Sequence, residues 1–159
     1  MSWRHLPKPA RVVAETAADA VAAARSRDAE TFQREAARLG ALDSEHAGLV
    51  LGAVVRMSLE ELHPDGLTAD DVQEMVARCA RSAAGWFPGL DPHVLVLLVA
   101  GALGVHQADT EDFRLDAMEV ARHAPLLVAD LLALSGRSLD ACLEAAFADI
   151  QRTQASEMP

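Results

Sequence analysis

Asp112, Asp116, Glu119 and His123 recur at i, i+4, i+7 and i+11, a spacing that lines three carboxylates and an imidazole along one helical face. Groups of these types bind divalent cations or move protons. A working centre needs further donors from a second element, since tetrahedral and octahedral shells are rarely closed from one helix face. The acids lie opposite the apolar positions Phe113 and Val120, the pattern of a solvated face. The expectation is therefore no metal and no cofactor, with Asp116, Glu119 and His123 as the residues such a site would use.

Glu60 and His63 add a carboxylate–imidazole pair at i, i+3. The pair resembles half of the Glu-x-x-His arrangement of carboxylate-bridged di-iron bundles, which requires two such pairs and further carboxylates converging inside the bundle. One pair beside the Pro64-Asp65-Gly66 turn is expected to sit in water. His46, His93, His106 and His123 share no spacing that brings two of them together on one helix. As nucleophiles the chain offers Cys79 and Cys142, both at apolar positions without a neighbouring cation in sequence, where a thiolate is disfavoured. They read as small core hydrophobes of a reducing compartment. Ser44, following Asp43, reads as a helix cap. No catalytic residue is assigned, and an enzyme is the least supported reading.

Trp86 and Phe87 are adjacent in a chain with two Trp and four Phe. Such a turn either plugs the end of a helical core or roofs an apolar ligand pocket between helices. They are the candidate ligand-binding residues. Trp3, on a proline-flanked arm, poses the same question of docking on its own fold or on a neighbouring subunit.

Arg34 to Gly40 resembles the first helix and turn of bacterial helix-turn-helix repressors. A reading helix should then present donors to base edges and cations to phosphates. Ser44, Glu45, His46 and Gly48 follow instead, with no Lys or Arg before Arg56. The whole chain carries a formal charge of −10 and a pI near 4.9, the opposite of the basic footprint that releases counterions from phosphate. Nucleic acid is not expected as a partner; a basic protein surface would suit this charge.

The elements that must position these residues are helices. Alanine, the best intrinsic helix former, supplies 32 of 159 residues, and Tyr is absent. Residues 1–9, with two prolines and no periodicity, read as an extended arm. Helical patterns follow from Ala10 to about Arg25, from Asp28 to a terminating Gly40, and from Asp43 or Ser44 to the His63-Pro64-Asp65-Gly66 breaker. Thr68 and Asp71 resemble a capping box opening a stripe of Val72, Met75, Val76, Cys79, Ala80 and Ala83. Asp91-Pro92 is an N-cap followed by proline at the first helical position. The segment from Pro92 to Val105 is apolar on every side and should be buried on every side, with a charge at Leu97 or Leu98 unfolding the domain. Ala100, Gly101 and Gly104 would admit a closely packed neighbouring helix. Asp109–Ser135 is helical in pattern but interrupted by Pro125, as one kinked helix or two. Ser138 caps a last helix with Leu139, Cys142, Leu143, Ala146, Phe147 and Ile150 on one face.

These signals define an all-α, single-domain bundle of seven or eight helices around a buried central helix at about 92–105. The domain spans 10–154, with 155–159 as a frayed tail. The longest apolar run, 12 residues from Val94 to Val105, is too short to cross a membrane, and the N-terminus lacks an apolar leader core. A cytoplasmic protein is expected. Two functional readings follow: a non-enzymatic interaction or regulatory module, with a second copy or another protein as partner, and a small-molecule-binding domain with an apolar ligand near Trp86 and Phe87.

Overall fold

The computed structural model describes residues 5–104 and 116–157. Trp3, His106, Asp109, Asp112 and Phe113 lie outside them. Seven helices are described: α1 (Lys8–Arg25), α2 (Ala29–Ala41), α3 (Ser44–Leu62), α4 (Ala69–Ala83), α5 (Pro92–Ala102), α6 (Ala117–Ser135) and α7 (Leu139–Glu157). There is no strand among the described residues, and the helices pack as one all-α bundle.

Local chemistry sets most boundaries. Asp28 accepts from the Thr31 amide, and Asp43 from those of Glu45 and His46. Thr68 and Asp71 exchange side-chain-to-backbone bonds in a full capping box. Asp91 accepts from the His93 amide ahead of Pro92, and Gly136 closes α6 in the left-handed conformation at φ +72°. Each cap satisfies amides or carbonyls that a helix end leaves open.

Three boundaries differ from the sequence reading. The arm is shorter than 1–9, because α1 begins at Lys8 with Pro9 in its first turn, where a missing N–H is not needed. The tail is helical as far as Glu157. Gly40 does not end α2 but lies inside it. A Cβ built there would meet Sδ of Met118 and stand 3.4 Å from Cβ of Ala121, so the glycine lies at a close approach to α6 rather than in a turn.

The C-terminus of α1 carries an unusual residue. Asp28 N–H donates to the Ala23 carbonyl and Arg27 N–H to that of Ala24, the two bonds of a Schellman cap. The left-handed position belongs to Arg27, at φ +56°. Glycine takes that conformation freely, whereas an L side chain costs about 1–2 kcal/mol there.

The hub is α6, not α5. Helix α6 packs against α1, α2, α3, α4 and α5, and Leu127, Leu131 and Leu132 are wholly enclosed. It is one helix through Pro125, which is itself buried. Helix α7 lies on α3 and α1, and α4 lies on α5 and α6. Helix α5 buries Val94, Leu95 and Val99, but Val96 is 40 % exposed and Leu103 39 % exposed, with Leu97 and Leu98 half-buried. Full burial of this segment is thus not met. Its neighbours α3, α4 and α6 cover one side of it, and no described helix takes the place that Gly101 leaves open.

Candidate functional site

Asp116, Glu119 and His123 are neighbours on α6 with separate structural duties. Asp116 caps the helix through the Met118 amide. Glu119 pairs with Arg122 at 3.4 Å and places Oε2 3.7 Å from Nδ1 of His123. His123 is fully buried rather than on a wet face. Its Nε2 accepts the Asp91 backbone N–H at 2.9 Å, so that nitrogen bears the lone pair and Nδ1 carries the hydrogen donated to the Glu119 carbonyl at 2.8 Å. Both ring nitrogens are thereby occupied by the backbone. Glu60 pairs with Arg56, whereas His63 stands 3.8 Å from Asp71, so that pair does not converge either. No group of three or more His, Cys, Asp or Glu side chains suited to a metal ion forms among the described residues.

The two thiols are enclosed. Burial pushes the Cys79 thiol up to about 12, with the charge of Asp130 adding to the rise, and burial also raises Cys142. A thiol held protonated is a poor nucleophile.

Trp86 and Phe87 divide the two roles open to them. Phe87 is a plug: it is buried, meets Phe32 edge to face with centroids 5.3 Å apart, and packs its ring against His123 at 6.4 Å. Trp86 is half-buried, edge-on to Phe32 at 5.4 Å, and donates Nε1–H to the Ser82 carbonyl. Its free side lines a cavity of about 230 Å³ between α1, α4 and α6. The floor is apolar, from Ala24, Cys79, Ala83 and Leu126, while Arg25, Arg27 and Asp130 stand at the rim. The pocket near Trp86 therefore has an apolar floor and a charged edge.

A second concavity runs across α3, α5 and α6. Two hollows of about 190 and 200 Å³ share Gly48, Leu51 and Val120, so they form one trough. Leu98, Gly101 and Ala102 wall it on the α5 side, and Ala117 and Ala121 on the α6 side. Gly48 and Gly52 on α3 and Gly101 on α5 have no atom of a described residue within 4 Å of where a Cβ would stand. Each sits inside a helix, where glycine costs about 1 kcal/mol relative to alanine. Exposed Leu49, Val96, Leu103 and Met118 lie on the same three helices or at their ends. Glu45 lines the trough and no cation does; the residues adjoining its lining in sequence include the acids Asp43, Asp116 and Glu119 and the cations Arg38, Arg56 and Arg122.

The trough was not among the sites expected from sequence. The available signal was the pair Gly48 and Gly52, four residues apart in a helix with no turn to make. Compared with known proteins, the chain matches no family model, no curated protein and no solved structure. No described helix is long and apolar enough to cross a membrane.

Proposed function

We propose that this domain is a non-enzymatic docking module that receives one amphipathic helix of a basic partner protein in the α3/α5/α6 trough. The observation that carries this reading is the row of open glycines at 48, 52 and 101, set in an apolar groove. Mid-helix glycines lower the stability of the free fold and let another backbone approach closely. A helix laid in an apolar groove is a common mode of peptide recognition, with anchors at i, i+3, i+4 and i+7. The occupant is chosen by charge: Glu45 in the groove and the chain's formal charge of −10 attract cations flanking the docked face and repel a second copy of the same chain.

The test uses two synthetic helical peptides with the same Leu/Ala face, one flanked by Lys and Arg and one by Glu. Binding is followed by fluorescence anisotropy, and the site by amide chemical shifts of Gly48, Gly52 and Gly101. The basic peptide should bind at those glycines, more weakly as salt rises, and the acidic one should not. Equal binding of both peptides, or of neither, overturns the reading. A concentration-dependent dimer in light scattering that shifts the same amides makes a second copy the occupant and overturns the assignment to a basic partner.

A further inference from the structure

We infer that the α1/α4/α6 cavity is a separate site for a small organic monoanion, with a flat apolar body against Trp86 and a carboxylate held by Arg25 and Arg27. It shares no lining residue with the α3/α5/α6 trough, so it stands independently of the docking proposal.

Three observations converge on it. The first is size and surface: an apolar cavity of about 150 Å³ holds a benzene, so about 230 Å³ accommodates a two-ring body. Ala24, Ala83 and Leu126 give it an apolar floor, and the exposed side of the half-buried Trp86 indole offers a stacking wall. The second is charge. Neither the Arg25 nor the Arg27 guanidinium makes an ion pair or side-chain hydrogen bond with a described residue. The remaining charge at the rim, Asp130, is already held by Arg78, Nε to Oδ2 at 3.1 Å. Two uncommitted guanidiniums at a pocket edge favour a carboxylate, which they can bind with two parallel hydrogen bonds. The Asp130 carboxylate nearby selects one negative charge over two.

The third observation is conformational. Arg27 occupies the left-handed position of the α1 cap at φ +56°, where glycine is the unstrained residue. Strain of this kind is tolerated when the side chain it places has a use. That strain makes the site testable, because Arg27→Gly removes the guanidinium and relieves the backbone together.

The probe is 1-naphthylacetate, with neutral 1-naphthylacetamide as its charge-free match. Titrations are run in the 159-residue chain carrying Trp3→Phe, so that Trp86 is its sole indole, and are read by calorimetry and Trp86 quenching. The acid should bind once per chain and quench Trp86. The amide should bind at least about tenfold more weakly, as loss of a charge-assisted pair implies. Arg27→Gly should lose about the same factor while its urea midpoint stays level or rises. A merely structural Arg27 would give the opposite pattern, with affinity kept and stability changed alone. Equal affinity for acid and amide, unchanged affinity in Arg27→Gly, or no saturable binding at millimolar probe overturns the assignment.

Discussion

The backbone N–H of Asp91 donates to Nε2 of His123 across 2.9 Å, pinning the N-cap of α5 to the middle of α6. Because the opposite ring nitrogen is bonded to the Glu119 carbonyl, the imidazole is fixed in one tautomer and works as a bracket between two backbones. Phe87 packs against its ring, so the aromatic turn, the start of α5 and the hub helix meet at a single buried side chain.

His123→Leu keeps most of the volume but leaves the Asp91 N–H without its acceptor, and should cost about 1–3 kcal/mol. His123→Ala adds a cavity beneath Phe87 and should cost about 2–5 kcal/mol. Urea unfolding measures both, and hydrogen exchange at the Asp91 amide should quicken in both. An unchanged midpoint in His123→Leu would mean that the ring only fills space.

The hub assignment separates two apolar helices. Leu127→Ala on α6 removes a fully enclosed side chain and should cost about 2–5 kcal/mol. Val96→Ala on α5 removes one that is 40 % exposed and should stay within about 0.5 kcal/mol. Comparable losses in thermal melts of the two variants would restore α5 to the centre.

The residues that satisfy helix ends were legible in the sequence, because capping depends on a few atoms a turn away. Thr68 with Asp71, Asp91 with Pro92, and Gly136 all act as their types dictate. Packing was legible only as periodicity. Hydropathy marks α5 as the most apolar segment, but it does not say how many neighbours α5 has. The hub was disguised by Pro125 and His123, a helix breaker and a polar group that accepts from the Asp91 amide, 32 residues away. That Trp86 lines the α1/α4/α6 cavity had a signal in the sequence, one aromatic turn. Arg27 had none, because arginine is not a residue that signals a left-handed cap, and its place at the cavity is set by how α1 docks on α4 and α6.

Alkaline pH should weaken the fold through the thiols. An ordinary thiol has a value of 9.0, and burial lifts that of folded Cys79 to about 12. Above pH 9 the unfolded chain loses this proton while the folded chain keeps it, so stability is fully present below 9 and falls as pH rises toward 12. Each pH unit in that window costs about 1.4 kcal/mol per fully shifted group. The raised Cys142 thiol acts in the same direction. Urea midpoints at pH 8, 9 and 10 should fall in the native chain and flatten in the Cys79→Ala, Cys142→Ala double variant. An identical decline in both proteins would assign the alkaline loss to other groups.

The glycines of the trough set stability against binding. Gly48, Gly52 and Gly101 have helical backbones and no described residue where a methyl group would stand. Alanine at each should therefore stabilise the free domain by about 0.5–1 kcal/mol, through helix propensity and a less disordered unfolded chain. The same methyl groups fill the space that a docked backbone needs, so the basic helical peptide should bind about tenfold more weakly to the triple Gly→Ala variant. Glycines kept merely by chance would give the first effect without the second. Measuring the urea midpoint and the peptide affinity on the same preparations separates the outcomes: a higher midpoint with weaker binding supports a docking groove, and a higher midpoint with unchanged binding removes it.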